Sequence, residues 1–161
     1  MPLHRVRMSR SLSESDIGKV CDNVVSIDDV DERCLAALML SAYRGTVDDE
    51  GETLDAAIQE LRSVRNGAYG PVITAASGVI IREGEPVSAI ITTEYGLKPL
   101  ICYVFTNPAV QRHGLAAMLI QRACAALAAE GWTNVELAVT IGSAGERLYR
   151  RLGFTQIRDA D

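Results

Sequence analysis

The chain of 161 residues has no Cys-x-x-Cys pair. Its four cysteines, Cys21, Cys34, Cys102 and Cys124, stand far apart, and there are only two histidines. That combination excludes the usual zinc arrangements, so no metal is expected. Cys34, Cys102 and Cys124 lie in apolar surroundings, which predicts reduced core thiols and, by default, a cytoplasmic setting. No apolar run approaches the roughly 18–20 residues that cross a bilayer, so no membrane partner is expected. Arg5, Arg7 and Arg10 are not followed by an apolar stretch, and no signal peptide is read there. A basic excess is missing too. The net charge is −5, which argues against a nucleic-acid partner, because phosphate backbones want a basic face. The chain also lacks Gly-x-Gly-x-x-Gly, the Gly-Lys-Ser/Thr of a P-loop, internal repeats and low-complexity tracts.

What is present is a globular composition. Hydrophobic residues make up 48%, and a single domain of this length buries about two-thirds of its unfolded surface. His4 to Ser9 predicts a first strand. The Ser/Asp residues between Ser11 and Asp16 suit the cap of a short helix near Ile17. Acidic residues Asp28, Asp29 and Asp31 precede a helix over Cys34 to Tyr43, as the helix dipole prefers, and Gly45 ends it. Thr53 caps a second helix with Leu54, Ala57, Ile58 and Leu61 at helical spacing. Val72 to Ile81 and Val87 to Thr93 predict an antiparallel hairpin. A strand from Leu100 to Phe105, a helix from Ala116 to Glu130, a strand from Asn134 to Ile141 and a short helix from Ala144 to Leu152 follow.

The junction Asn107-Pro108-Ala109-Val110-Gln111-Arg112-His113-Gly114-Leu115-Ala116 carries the chemistry. It runs from a strand through a tight turn into a helix. A helix N-terminus offers unpaired N–H groups and partial positive charge, an anion site. Gly114 admits a bulky anion close to the backbone. Ala116 and Ala117 keep the first turn open, and Gln111, Arg112 and His113 stand beside it. The spacing Gln-x-x-Gly-x-Ala resembles the pyrophosphate signature of the GCN5-related N-acetyltransferase (GNAT) family. Downstream, Leu148-Tyr149-Arg150-Arg151-Leu152-Gly153-Phe154 resembles the second signature of that family, and the two stand in the family's order.

The resemblance implies a single α/β domain over residues 1–161. Residues 1–70 would supply the first strand and two acceptor-side helices, and 71–161 the central sheet with the acetyl-CoA site. The sheet would be mixed and mostly antiparallel, with helices on both faces. The strands from Leu100 and from Asn134, fourth and fifth in this order, would splay to admit the thioester arm. The family usually has one more strand after the Gly-Phe strand. This sequence leaves little room for one, so the sheet would be short, or its edge covered by a second copy in a homodimer.

The resemblance also assigns roles. Backbone groups of Val104, Phe105 and Thr106 would polarise the thioester carbonyl. Gln111, Arg112, His113, Gly114, Leu115, Ala116 and Ala117 would hold the pyrophosphate. Tyr149 would donate to the departing thiolate, its phenol being protonated at neutral pH. Glu94 would be the base, with Tyr103 and Tyr95 as further polar candidates. The family's asparagine and alanine ahead of the tyrosine are here Gly142 and Gly145. Ser143 either takes over the lost contact to the cofactor arm or caps the short helix.

Between the first two helices, Asp48, Asp49, Glu50 and Glu52 either draw in a cationic amine or form a solvated turn. The function expected is an acetyl-CoA-dependent N-acetyltransferase acting on a primary amine of a small molecule or peptide. The alternative is a degenerate relative that binds acyl-CoA as a sensor or interaction module.

Overall fold

The computed structural model describes residues 5–18, 23–46, 48–111 and 113–157. His4, Cys21 and Arg112 lie outside them. Seven strands form one sheet: β1 Arg5–Ser11, β2 Val24–Val25, β3 Gly78–Arg82, β4 Glu85–Tyr95, β5 Lys98–Thr106, β6 Asn134–Thr140 and β7 Thr155–Gln156. Their spatial order is β2-β3-β4-β5-β6-β1-β7. Only β5 and β6 run parallel, so the sheet is mixed and mostly antiparallel. The helices are α1 Glu32–Tyr43, α2 Leu54–Arg65, α3 Leu115–Ala129 and α4 Ala144–Arg151.

Most elements begin where local chemistry starts them. Thr53 caps α2 by accepting the Ala56 N–H at 3.1 Å. Arg62 and Arg65 in its last turn suit the negative end of the helix dipole. The strand expected from Val72 starts later, at Gly78, because Thr74–Ala76 forms a 3-10 turn. Ser77 holds that turn on β4: its hydroxyl donates to Ile73 O and accepts the Thr92 N–H, both at 2.9 Å.

Two apolar clusters sandwich the sheet. Leu35, Leu38 and Met39 of α1 and Leu61 and Val64 of α2 pack on Val79, Ala89, Ile91 and Phe105. On the other face, Leu115, Leu119, Ile120 and Leu127 of α3 pack on Ile90, Ile101, Leu137 and Val139, with Leu148 and Tyr149 of α4 beside them. Cys124 is in that core and Cys102 is half-buried, but Cys34 is exposed, contrary to expectation. Its helical phase turns it outward while Leu35 and Ala36 take the inner stripe.

No strand follows β7 among the described residues, as expected from the sequence. β1 threads between β6 and β7, pairing with β6 from Arg5↔Thr140 to Ser11↔Asn134 and with β7 at Met8 and Ser9. Met8 is completely buried. Both edge strands have two residues each, which leaves little open edge to recruit another chain. A buried carboxylate ties the centre. Glu136 of β6 accepts from Arg7 of β1 at 2.6 Å and pairs with Lys98 of β5 at 3.1 Å. Both cations are more than half exposed, so they keep much of their hydration and the triad costs less than a fully buried one.

If β1 belongs to the cooperative core, Met8→Ala should cost roughly 2–5 kcal/mol of stability by emptying a packed site. Urea denaturation measures this. An unchanged midpoint would make β1 an accessory strand.

Candidate active site

The site begins with a defect in the sheet. β4 pairs Ile91 with Tyr103 but Thr92 with Ile101, so Cys102 is one residue too many on β5. Such a bulge bends its strand and raises the local twist. It also resets the alternation: Ile101 points to the α3 side, whereas Tyr103 and Phe105 point to α1 and α2. The last parallel pair between β5 and β6 is Ile101↔Leu137, immediately before the bulge. Beyond it the two strands part.

Hydrogen-bond geometry shows what β5 offers to the gap. Asn107 N–H donates to Val87 O on the β4 side at 2.8 Å. Successive residues of a strand alternate sides, so Phe105 also turns its N–H towards β4. Val104 and Thr106 turn theirs towards the gap. Of the three backbone candidates, these two are placed to polarise a carbonyl there. The Phe105 side chain is buried beside Tyr43, with ring centroids 6.4 Å apart, which anchors this stretch by roughly 1.5–3 kcal/mol of burial. Thr106 Oγ1 bonds Ser88 Oγ at 2.8 Å, and Gln111 Nε2 donates to Thr106 O at 3.3 Å.

The start of α3 closes one end of the gap. Gly114 is the N-cap in a left-handed conformation, φ 76° and ψ 13°. A Cβ built there would meet no atom within 4 Å, so the glycine faces open space. The first bond of α3 runs from Met118 N–H to Gly114 O. The N–H groups of Leu115, Ala116 and Ala117 are therefore the unpaired donors of a helix start. The Leu115 side chain itself is core. His113 is exposed, and Arg112 lies outside the described residues.

From this cradle one continuous cleft of about 1860 Å³ runs along the gap to the loop between α1 and α2. Tyr149 lines it from α4, its ring 5.9 Å from that of Phe154. Burial, helped by the negative charge of Asp48, pushes the Tyr149 phenol up to about 12. It stays protonated at any ordinary pH and is a weaker acid than a thiol of pKa about 8.5. It therefore suits a hydrogen bond to a sulfur anion better than full proton release. Ser143 lines the cleft and also caps α4, accepting the Glu146 N–H at 3.2 Å. Gly142 has φ 85° and donates its N–H to Glu146 Oε1 at 2.9 Å. This bond and the Arg150 guanidinium hold the Glu146 carboxyl below its usual range. A Cβ at Gly145 would touch the Tyr149 ring at 3.4 Å.

Glu94 is not brought to this cleft. It stands opposite Pro99, next to the β4–β5 turn. Phe105 is six positions beyond Pro99, roughly 20 Å of strand. Tyr95 is at the same turn, half exposed and edge-on to Tyr69. Tyr103 does line the cleft and donates to Glu60 Oε1 at 2.7 Å. Burial and the Glu60 carboxylate push its phenol up.

The acidic loop divides its work. Asp49 accepts the N–H groups of Gly45 and Gly51, both at 2.9 Å, which hold its carboxyl low and shape the turn. Asp48, Glu50 and Glu52 line the cleft, and Glu60 joins them from α2. Sequence reasoning missed Glu60, Arg5 of β1, and the lining residues Arg147 and Arg151 of α4. The Arg-Arg string was visible, but its facing was not. Among the described residues no three His, Cys, Asp or Glu side chains are placed to hold a metal ion, and no helix is long and apolar enough to cross a membrane.

Comparison with known proteins agrees with this geometry. A family model described as acetyltransferase (GNAT) domain matches residues 74–156, just over half of the chain. Similar solved structures include a GCN5-related N-acetyltransferase from Sphaerobacter thermophilus, at 19% identity and a TM-score of 0.71. It aligns with 98% of this chain and 50% of its own. A PaiA N-acetyltransferase from Thermoplasma acidophilum, solved with coenzyme A, aligns at 17% identity and a TM-score of 0.66, over 85% of this chain and 89% of its own. A putative GNAT-family acetyltransferase from Novosphingobium aromaticivorans aligns at 20% identity and a TM-score of 0.62, over 96% of this chain and 62% of its own. The chain thus spans only half to three-fifths of two of these relatives. No curated protein matches it.

The buried phenol makes a direct prediction. In an ultraviolet titration, the difference between the wild type and Tyr149→Phe should show no phenolate from Tyr149 below about pH 11. Ionisation near pH 10 would mean that Tyr149 is in water.

Proposed function

The chain belongs to the GCN5-related N-acetyltransferase family, and on that premise we propose that it moves an acetyl group from acetyl-CoA to a primary amine. The observation that carries this reading is the gap between β5 and β6. Its rim holds two outward-turned N–H groups, at Val104 and Thr106, and the unobstructed start of α3 at Gly114.

The residues fit the donor. A pyrophosphate needs donors and room, and the N–H groups of Leu115, Ala116 and Ala117 supply the donors beside a glycine that leaves the room. Gln111 braces the strand end behind them. Arg147 and Arg151 line the same cleft and add positive charge for phosphate groups. Bound acetyl-CoA supplies an activated acyl group. Val104 and Thr106 turn fixed dipoles to where charge develops on the carbonyl oxygen, at no cost of reorganisation during the reaction. Tyr149 stabilises the departing sulfur by hydrogen bonding.

The acceptor reading follows from charge. Asp48, Glu50, Glu52 and Glu60 line the cleft beyond the gap, and their summed field raises the local concentration of a cationic amine. A polyamine, an amino sugar or a basic peptide end fits this lining. Gly142, where the family usually has an asparagine, is the feature that favours the second reading, an acyl-CoA sensor without turnover.

Calorimetric titration with acetyl-CoA should show micromolar binding, about −8 kcal/mol. Gly114→Asp should abolish it, because a carboxylate would occupy the phosphate position while aspartate tolerates the left-handed backbone. Equal affinity in that folded variant would empty the cradle of its role. Acetyl-CoA with spermidine, kanamycin or a lysine-ended peptide should give free thiol. Tyr149→Phe should slow that turnover by ~10²-fold with donor affinity kept. Tight donor binding without turnover on any amine would establish the sensor.

A further inference from the structure

The loop between α1 and α2 is tied to the end of β6. Thr140 Oγ1, on a buried residue, donates to Asp48 Oδ1 at 2.6 Å. Thr140 is three residues beyond Leu137, the last β6 residue paired with β5. Asp48 is therefore tied to the β6 end of the cleft that Val104 and Thr106 line from β5. Its other carboxylate oxygen, Oδ2, accepts no hydrogen bond among the described residues. The contrast with Asp49 is direct: that neighbour spends both oxygens on the loop's own N–H groups. One acid builds the turn and the next is presented to the cleft by a fixed donor. Glu94, the base expected from the sequence, is at the far end of its strand.

We propose that Asp48 is the base of the transfer, with Thr140 as its positioning residue. This rests on the acetyl-transfer reading above. An alkylamine is an ammonium ion at neutral pH, with a pKa of about 10.4, and has no free lone pair. Asp48 Oδ2 takes one ammonium proton and passes it to solvent. The freed nitrogen pair forms the new C–N bond, and the C–S bond breaks with its electron pair going to sulfur. The nitrogen loses its second proton, which neutralises the thiolate. The products are an amide, a thiol and one released proton. Thr140 holds the carboxylate in one rotamer, so that no reorganisation is needed. The titratable groups that line the cleft with Asp48 are Arg5 of β1, Tyr43 of α1, Glu60 of α2, Tyr103 of β5, Arg147, Tyr149, Arg150 and Arg151 of α4, and Glu50 and Glu52 on the loop; the phenols are neutral. Asp48 is felt electrostatically at the Tyr43 and Tyr149 phenols, whose ionisation it opposes.

The test uses spermidine as the probe amine and Asp48→Asn, Asp48→Glu and Thr140→Val. The amide of Asp48→Asn keeps an oxygen for the Thr140 hydroxyl and loses the negative charge and the basicity. Three quantities are read: acetyl-CoA affinity by calorimetry, spermidine affinity in the absence of donor, and kcat/KM for spermidine against pH. Asp48→Asn should keep acetyl-CoA affinity within about twofold and bind spermidine several-fold more weakly. Its kcat/KM should fall by ~10²–10⁴-fold at pH 7. It should then climb about tenfold per pH unit towards the amine's own pKa, as solvent supplies free amine. Asp48→Glu should recover part of the loss, and Thr140→Val should lower kcat more than it raises KM. A wild-type pH profile and spermidine affinity in Asp48→Asn would overturn the proposal. So would a drop uniform in pH that tracks a loss of acetyl-CoA affinity, since Asp48 would then be a clasp alone. A wild type that binds acetyl-CoA but not spermidine would overturn it as well. Failure of the wild type to bind acetyl-CoA is a separate result and sinks the family activity instead.

Discussion

A single inserted residue governs the working part of this fold. Cys102 has no register partner on β4, although its thiol meets Thr93 Oγ1 at 3.2 Å, and the bulge it makes turns β5 away from β6 directly after their last shared pair. A regular sheet would satisfy the N–H groups of Val104 and Thr106 with carbonyls of β6. The bulge withholds those partners and leaves the donors facing a cleft. It also brings Tyr103 and Phe105 to the α1–α2 face, where Phe105 anchors the strand end in the core and Tyr103 meets Glu60. Binding geometry and packing are thus set by the same local irregularity. The open strands are kept from parting further by Glu136, whose carboxylate joins β1, β5 and β6 just before the gap begins.

Several elements bring charge to the cleft. Arg147 and Arg151 line it from α4, while Asp48, Glu50 and Glu52 line it from the α1–α2 loop and Glu60 from α2. Arg5 lines it from β1. Charges of both signs suit a cleft that takes an anionic donor and a cationic acceptor. The low-dielectric middle carries Tyr149, which burial keeps protonated. The loop carboxylates are not equivalent, because Asp49 builds the turn that aims Asp48.

The strand–turn–helix at Asn107 to Ala117 was legible because each step has a local cause: proline and asparagine in the turn, a left-handed glycine, then a run of helix formers. The capping roles of Thr53 and Ser143 were legible for the same reason. The bulge at Cys102 was not, since Leu100 to Phe105 is apolar throughout and gives no alternation to break. The position of β1 was not either. A strand's pairing partner is decided by long-range burial of residues such as Met8, and the sequence places it next to a short polar turn, not next to β6. Glu94 illustrates the remaining limit. Its strand was expected correctly, but which end of that strand meets the cleft depends on hairpin register. Asp48 was visible only as one acid among four until Thr140 singled it out.

The central claim is that the gap beside the bulge, and not another surface, receives the donor. Amide-resolved NMR of the protein titrated with coenzyme A tests it most directly. The account predicts shifts concentrated at Val104, Thr106 and Gly114 to Ala117, with Glu94 and Tyr95 at the far turn unmoved. Perturbations centred on the β4–β5 turn, or none at the start of α3 at saturating ligand, would contradict it.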